Sequence, residues 1–204
     1  QYINDLYKKG IRYFVVSENM DTVLYPSALF IKVEDTLAAL QKLAASHRKH
    51  FSYPVIGITG SNGKTIVKEW LFQLLNNEFD IVRSPKSYNS QVGVPLSVWQ
   101  MNDTYDLAIF EAGISLPGEM KNLQAIIDPS IGIFTFLGEA HAEGFKSRQQ
   151  KIEEKLQLFI NSKILVYCAD EKELDAAVQN FVQAVNPNLK IFSWSKKQEA
   201  ALNI

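Results

Sequence analysis

Ten consecutive residues, Ile56-Gly57-Ile58-Thr59-Gly60-Ser61-Asn62-Gly63-Lys64-Thr65, have the types and spacing that bind phosphate. An apolar run from Val55 to Ile58 leads into them, and an amphipathic helical pattern with Trp70, Leu71, Leu74 and Leu75 follows. A glycine loop between a buried strand and a helix N-terminus offers converging backbone N–H groups and the positive end of a helix dipole. Gly60, Ser61, Asn62 and Gly63 form the cradle for ATP or GTP. Lys64 adds a flexible charge for the outer phosphates, and the Thr65 hydroxyl is placed to hold Mg²⁺. The loop is shorter than the general P-loop, which wants a glycine five residues before Gly63, where this chain has Ile58. The competing reading is a plain tight turn. Gly-Lys-Thr at a strand-to-helix junction decides for phosphate binding.

These residues need a scaffold. Apolar runs alternate with helical patterns, which predicts a mostly parallel sheet covered on both faces, an α/β fold. Strands are expected at 11–16 and 28–33, and a helix over 34–50 with Leu37, Leu40, Leu43 and Ala44 as its apolar stripe. The polar, Pro-terminated stretch from His47 to Pro54 marks a boundary. Beyond it, strands are expected at 55–59, 79–83, 106–111, 131–136, 163–168 and 189–193. Helices are expected at 64–77, 91–100, 118–127, 147–161 and 171–184.

In such sheets ligands gather at the carboxyl ends of the strands. Glu111 ends the run Leu107-Ala108-Ile109-Phe110, level with Thr65. It reads as a second Mg²⁺ ligand or as a cap on the following turn. His141 lies in a glycine-containing loop at the same edge and reads as a functional group or as a hydrogen-bonded loop histidine. His47 and His50 read as solvated. Asn89 precedes the 91–100 helix and reads as an N-terminal cap or a ligand contact. Lys155 sits among Lys151, Glu153 and Glu154 on a charged helix, and nothing local singles it out.

Composition sets outer limits. Of 204 residues, 47% are apolar and 21% charged, the balance of an ordinary globular protein. A net charge of -1 gives no general drive toward nucleic acid or acidic membranes. No apolar run approaches the ~20 residues of a membrane span, and no signal peptide is visible. Cys168, the single cysteine, lies in an apolar run and reads as inert core. A cytoplasmic protein is expected.

Together the motifs resemble the ATP-dependent Mur ligases of peptidoglycan synthesis. Thr59 to Thr65 is similar to that family's Thr-Gly-x-Asn-Gly-Lys-Thr loop, and Asn89 to Pro95 to its Asn-rich loop before Gly-Val-Pro. Glu111 and His141 stand where the family has its glutamate and histidine. Lys155, fourteen residues after His141, stands where the family lysine carries a CO₂-derived carbamate. The phrase Glu111-Ala112-Gly113-Ile114-Ser115-Leu116-Pro117-Gly118-Glu119-Met120 resembles the branch that adds D-Ala-D-Ala to UDP-MurNAc-tripeptide. Departures are Ile66-Val67-Lys68-Glu69 in place of a threonine run, Ser90 in place of a second asparagine, and Leu-Gln-Leu after Lys155.

The resemblance implies a P-loop NTPase-like central sheet, preceded by the tail of a small α/β domain. Residues 1–53 would be the C-terminal part of the N-terminal UDP-substrate-binding domain. Residues 54–204 would be the central ATP-binding domain, incomplete at its C-terminal end, with the family's C-terminal ligase domain outside the chain. It implies an ADP-forming carboxylate–amine ligase working through an acyl phosphate, with UDP-MurNAc-tripeptide and D-Ala-D-Ala as substrates. These residues alone are expected to be inactive. Lys64, His141 and Lys155 would be catalytic. Residues Gly60 to Thr65 and Asn89 would bind ATP. Thr65, Glu111, His141 and a carbamylated Lys155 would hold two Mg²⁺ ions. Some relatives are fused to an alanine racemase, so fusion to another enzyme belongs to the same expectation. The alternatives are a MurE-like or folylpolyglutamate synthetase-like ligase, or a non-catalytic nucleotide-binding module.

Overall fold

A computed structural model describes residues 2–138, 144–197 and 199–203. Helix α1 (Tyr2–Lys8) precedes a two-stranded parallel sheet of β1 (Tyr13–Val16) and β2 (Leu29–Lys32). Helix α2 (Thr36–Arg48) starts at Asp35, whose carboxylate accepts from the N–H groups of Leu37 and Ala38. α1 is an element the sequence reading did not expect; it buries no residue, although Ile3, Leu6 and Tyr7 recur at helical spacing.

The main sheet comprises β3 (Val55–Thr59), β4 (Ile81–Arg83), β5 (Leu107–Glu111), β6 (Ile131–Phe134), β7 (Ile164–Cys168), β8 (Lys190–Ser195) and the short β9 (Leu202–Asn203). Its order is β4-β5-β3-β6-β7-β8-β9, and every pairing is parallel. β3 and β5 are buried at all their residues, as central strands covered on both faces must be. Side chains alternate across the sheet. Ile56, Ile58, Leu107 and Ile109 face one way and pack with Val67, Leu71 and Leu75 of α3 (Lys64–Leu75). Ala108, Phe110, Phe134, Leu165 and Tyr167 face the other core. There α4 (Gly93–Val98), α5 (Glu119–Ile127), α6 (Arg148–Leu156) and α7 (Lys172–Ala184) cover them. At Gly132 a Cβ would lie 2.4 Å from the Phe159 ring, so glycine lets the 3₁₀ turn after α6 press against β6.

Two helical faces differ from the sequence expectation. In α3 the inward residues include Val67, Leu71 and Leu75, whereas Trp70 and Leu74 are exposed. In α2, Leu37 and Leu43 are largely exposed, while Ala44 is buried and Ala45 packs against the same core. α2 lies against α4 and α5. Arg48 ties it there, donating to the carbonyls of Ile127, Phe51 and Asp128. His47 is not solvated: it bonds the Met101 carbonyl at 3.0 Å and lies over Trp99. No helix among the described residues is long and apolar enough to cross a membrane.

Candidate nucleotide-binding site

The loop after β3 is anchored on β6. Ser61 and Asn62 donate their N–H groups to the Phe136 carbonyl, and the Thr135 hydroxyl donates to the carbonyls of Thr59 and Asn62. Gly60 and Gly63 have φ of +141° and +84°, the region that favours glycine. A Cβ on Gly60 would sit 2.0 Å from the Thr135 hydroxyl. Gly60→Ala is therefore expected to cost about 1–3 kcal/mol in stability and to weaken nucleotide binding about tenfold or more. Thermal melts and an ADP titration check it, and unchanged values in both would contradict the assigned role.

Beside the loop lies a cavity of about 310 Å³, lined by Ser61, Gly63, Lys64, Thr65, Ser87 and Asn89 among others. The Ser61 hydroxyl is buried and has no hydrogen-bond partner among the described residues. An orphaned donor in a glycine cradle suits a phosphate oxygen. Lys64 begins α3, and its Nζ rests on the carbonyls of Gly60 (3.0 Å) and Ser61 (3.4 Å). Burial pulls its pKa down, and Glu111 works against that shift.

Glu111 ends β5 fully buried. Its Oε2 accepts from the Thr65 hydroxyl at 3.0 Å and from the Asn89 amide at 3.5 Å. The hydroxyl and carboxylate oxygens are hard donors that suit Mg²⁺, which also uses phosphate and water ligands. Among the described residues no group of three His, Cys, Asp or Glu side chains could hold a metal. Asn89 is not the cap of α4: Val92 holds that position without a side-chain cap bond, and the Ser90 hydroxyl accepts from the Gly93 N–H. The loop after β5 is pinned by two acids. Glu119 accepts from the N–H groups of Ser115 and Leu116, and Glu154 accepts from the Gly118 N–H.

Lys155 was hidden in its charged helix, yet it is buried, and its Nζ donates to the Gly60 carbonyl at 3.1 Å. Two lysines from α3 and α6 therefore meet one P-loop carbonyl. Burial, followed by the charges of Lys64 and Lys151, lowers the Lys155 pKa to about 7. A lysine lowered this way binds a proton less readily folded than unfolded. Its penalty is full below about pH 7 and fades as pH rises toward the unfolded value, so it makes stability increase with pH over that window. In CO₂-free buffer, Lys155→Met should raise the melting temperature at neutral pH and flatten this slope; an unchanged slope would contradict it. His141 lies outside the described residues.

An apolar groove of about 690 Å³ adjoins the loop, where Ile133, Val166 and Trp194 line the sheet beyond α3. Cys168 borders it half-buried rather than in the core, its thiol pushed up by burial.

The Mur ligase middle domain family matches residues 58–203. The chain belongs to the Mur ligase family. A similar relative of this Mur ligase chain is UDP-N-acetylmuramoyl-tripeptide--D-alanyl-D-alanine ligase of Bacillus subtilis, 35% identical over 72% of this chain and 33% of that protein. The chain thus spans about a third of the length of that curated relative. MurF ligase of Thermotoga maritima in complex with ADP superposes with a TM-score of 0.80 at 26% identity, covering 97% of this chain and 44% of that one. MurF of Acinetobacter baumannii shares the fold with a TM-score of 0.85 at 21% identity, covering 96% of this chain and 42% of its own.

Proposed function

We propose that this chain is the ATP-binding part of a cytoplasmic Mur ligase that joins D-Ala-D-Ala to UDP-MurNAc-tripeptide. Residues 54–204 are its central domain, and 1–53 the end of the UDP-substrate-binding domain. The observation that carries the reading is the convergence of Lys64, Lys155 and the Thr65–Glu111 pair on one glycine loop. A simple nucleotide switch has no use for a buried second lysine there. The names of the relatives above, and the phrase from Glu111 to Met120, favour D-Ala-D-Ala over the amine of a MurE-like or folylpolyglutamate synthetase-like enzyme.

In the proposed reaction a carboxylate oxygen of the tripeptide attacks the γ-phosphorus of ATP, and ADP leaves. The amine of D-Ala-D-Ala then attacks the acyl carbon, and phosphate leaves. Residues 60–63 and the Ser61 hydroxyl hold the phosphates. Lys64 moves from the Gly60 and Ser61 carbonyls to the charge growing on the transferred group. Thr65 and Glu111 would hold Mg²⁺, with Asn89 orienting the Glu111 carboxylate. Mg²⁺ when bound neutralises the facing anions. Lys155 as an amine offers no oxygen to a hard cation; as a carbamate it offers two, and with His141 it would serve a second Mg²⁺.

The test is phosphate release by the full-length protein with ATP, Mg²⁺, UDP-MurNAc-tripeptide and D-Ala-D-Ala, omitting each substrate in turn. Release is expected only with both. Release without them would make the chain an ATPase module, and release with another amine only would make it a sister ligase.

A further inference from the structure

We infer that Lys68 is a positioning residue that makes Glu111 a one-oxygen metal ligand. The inference rests on the nucleotide-site reading above. Lys68 lies three residues after Thr65, on the same side of α3. Its side chain is fully buried, and its Nζ lies 3.0 Å from Glu111 Oε1, with that carboxylate also fully buried. The same nitrogen donates to the carbonyls of Ser84 (2.7 Å) and Lys86. The two carbonyls take hydrogen bonds from the ammonium and fix its direction, while Glu111 Oε1 meets it as an ion pair without a hydrogen bond. The ammonium also lies 3.2 Å from the half-exposed Glu69.

The consequence falls on the other carboxylate oxygen. With Oε1 ion-paired to Lys68, Oε2 is the atom that meets Thr65 and Asn89 beside the phosphate cavity. The Glu111 N–H donates to the Ser84 hydroxyl, so the backbone of this residue is held from the same loop. Lys86 adopts φ of +50° without being glycine, and its carbonyl is a Lys68 acceptor. One residue further, Ser87 places its hydroxyl 3.2 Å from that of Thr65. Lys68 therefore aligns both proposed ligands, Glu111 directly and Thr65 through the 84–87 loop. Ca²⁺ often takes both oxygens of a carboxylate, whereas Mg²⁺ is served by single oxygens in octahedral array. Tying Oε1 should favour the smaller ion.

A purely structural lysine would neutralise a buried carboxylate and do nothing more. The two roles separate in ADP titrations of the full-length protein, run in EDTA, in Mg²⁺ and in Ca²⁺. Wild type is expected to bind ADP more tightly with Mg²⁺. In Lys68→Met the Mg²⁺ enhancement should fall about tenfold or more, as for other residues that orient metal ligands. Affinity in EDTA should stay within about twofold, and the preference for Mg²⁺ over Ca²⁺ should narrow. Lys68→Gln removes the charge but keeps N–H donors for the Ser84 and Lys86 carbonyls, and carries the same test where the methionine variant does not fold. A folded variant with the wild-type Mg²⁺ enhancement overturns the inference. Failure of both variants to fold assigns Lys68 to stability alone and also overturns it. A wild type that binds ADP equally with and without Mg²⁺ overturns the nucleotide-site reading instead, and this inference with it.

Discussion

Replacing Lys155 with alanine in the full-length protein should lower substrate-dependent phosphate release on the order of 10²-fold or more, with partial recovery when a small carboxylate is added. The expectation follows from where the structure places the amine. A lysine with its pKa at about 7 has a large neutral fraction at neutral pH. The neutral form is the one whose nitrogen attacks CO₂, forming an N–C bond and releasing a proton. Burial lowers that pKa most, and Lys64 and Lys151 lower it further because they repel an ammonium. The same two cations attract the carbamate once it forms and offset the cost of burying that anion, so the paired charges favour both steps. Activity in CO₂-depleted buffer should accordingly rise on adding bicarbonate. A Lys155→Ala protein with full activity and no added carboxylate would sink this assignment.

The sheet was legible because its central strands are buried on both faces and so appear as unbroken apolar runs, such as Val55 to Ile58 and Leu107 to Phe110. The phosphate loop was legible because it needs glycines at fixed offsets from a strand and a helix. The charged residues behind the loop were not legible. Lys68 and Glu69 enter the sequence reading only as a departure from a threonine run, whereas Glu69 pairs with Arg83 on one side and Lys68 turns inward. The available signal was its offset: Lys68 shares a face with Leu71 and Leu75, and the exposed Trp70 drew the apolar stripe away from it. Lys155 had the same disguise, since Glu153 and Glu154 surround a residue that lies next to the buried Ile152 and Leu156. From its local sequence Asn89 reads equally as a cap, because capping is local and can be read from spacing, and only the family resemblance places it with ATP. Its contact with Glu111 joins two loops far apart in sequence and needs the sheet order β4-β5-β3 to exist.

Lys64→Ala should lower kcat on the order of 10²-fold or more while changing the nucleotide KM much less. The charge that Lys64 meets grows during transfer, so its loss falls mainly on the transition state rather than on binding. Its Nζ donates to the carbonyls of Gly60 and Ser61, and phosphate must draw it from them. The substitution has a second effect that single-residue reasoning misses. Lys64 and Lys155 share the Gly60 carbonyl, and Lys64 helps to hold the Lys155 pKa down. Without it the Lys155 ammonium is favoured and the carbamate loses an attractive cation. The two losses should then overlap: Lys64→Ala/Lys155→Ala should be little worse than the poorer single variant, because neighbours that act through one another are not additive. Steady-state phosphate release across this cycle decides the matter. Multiplicative losses would show that the two lysines act independently, and the shared carbonyl would then be only a structural contact.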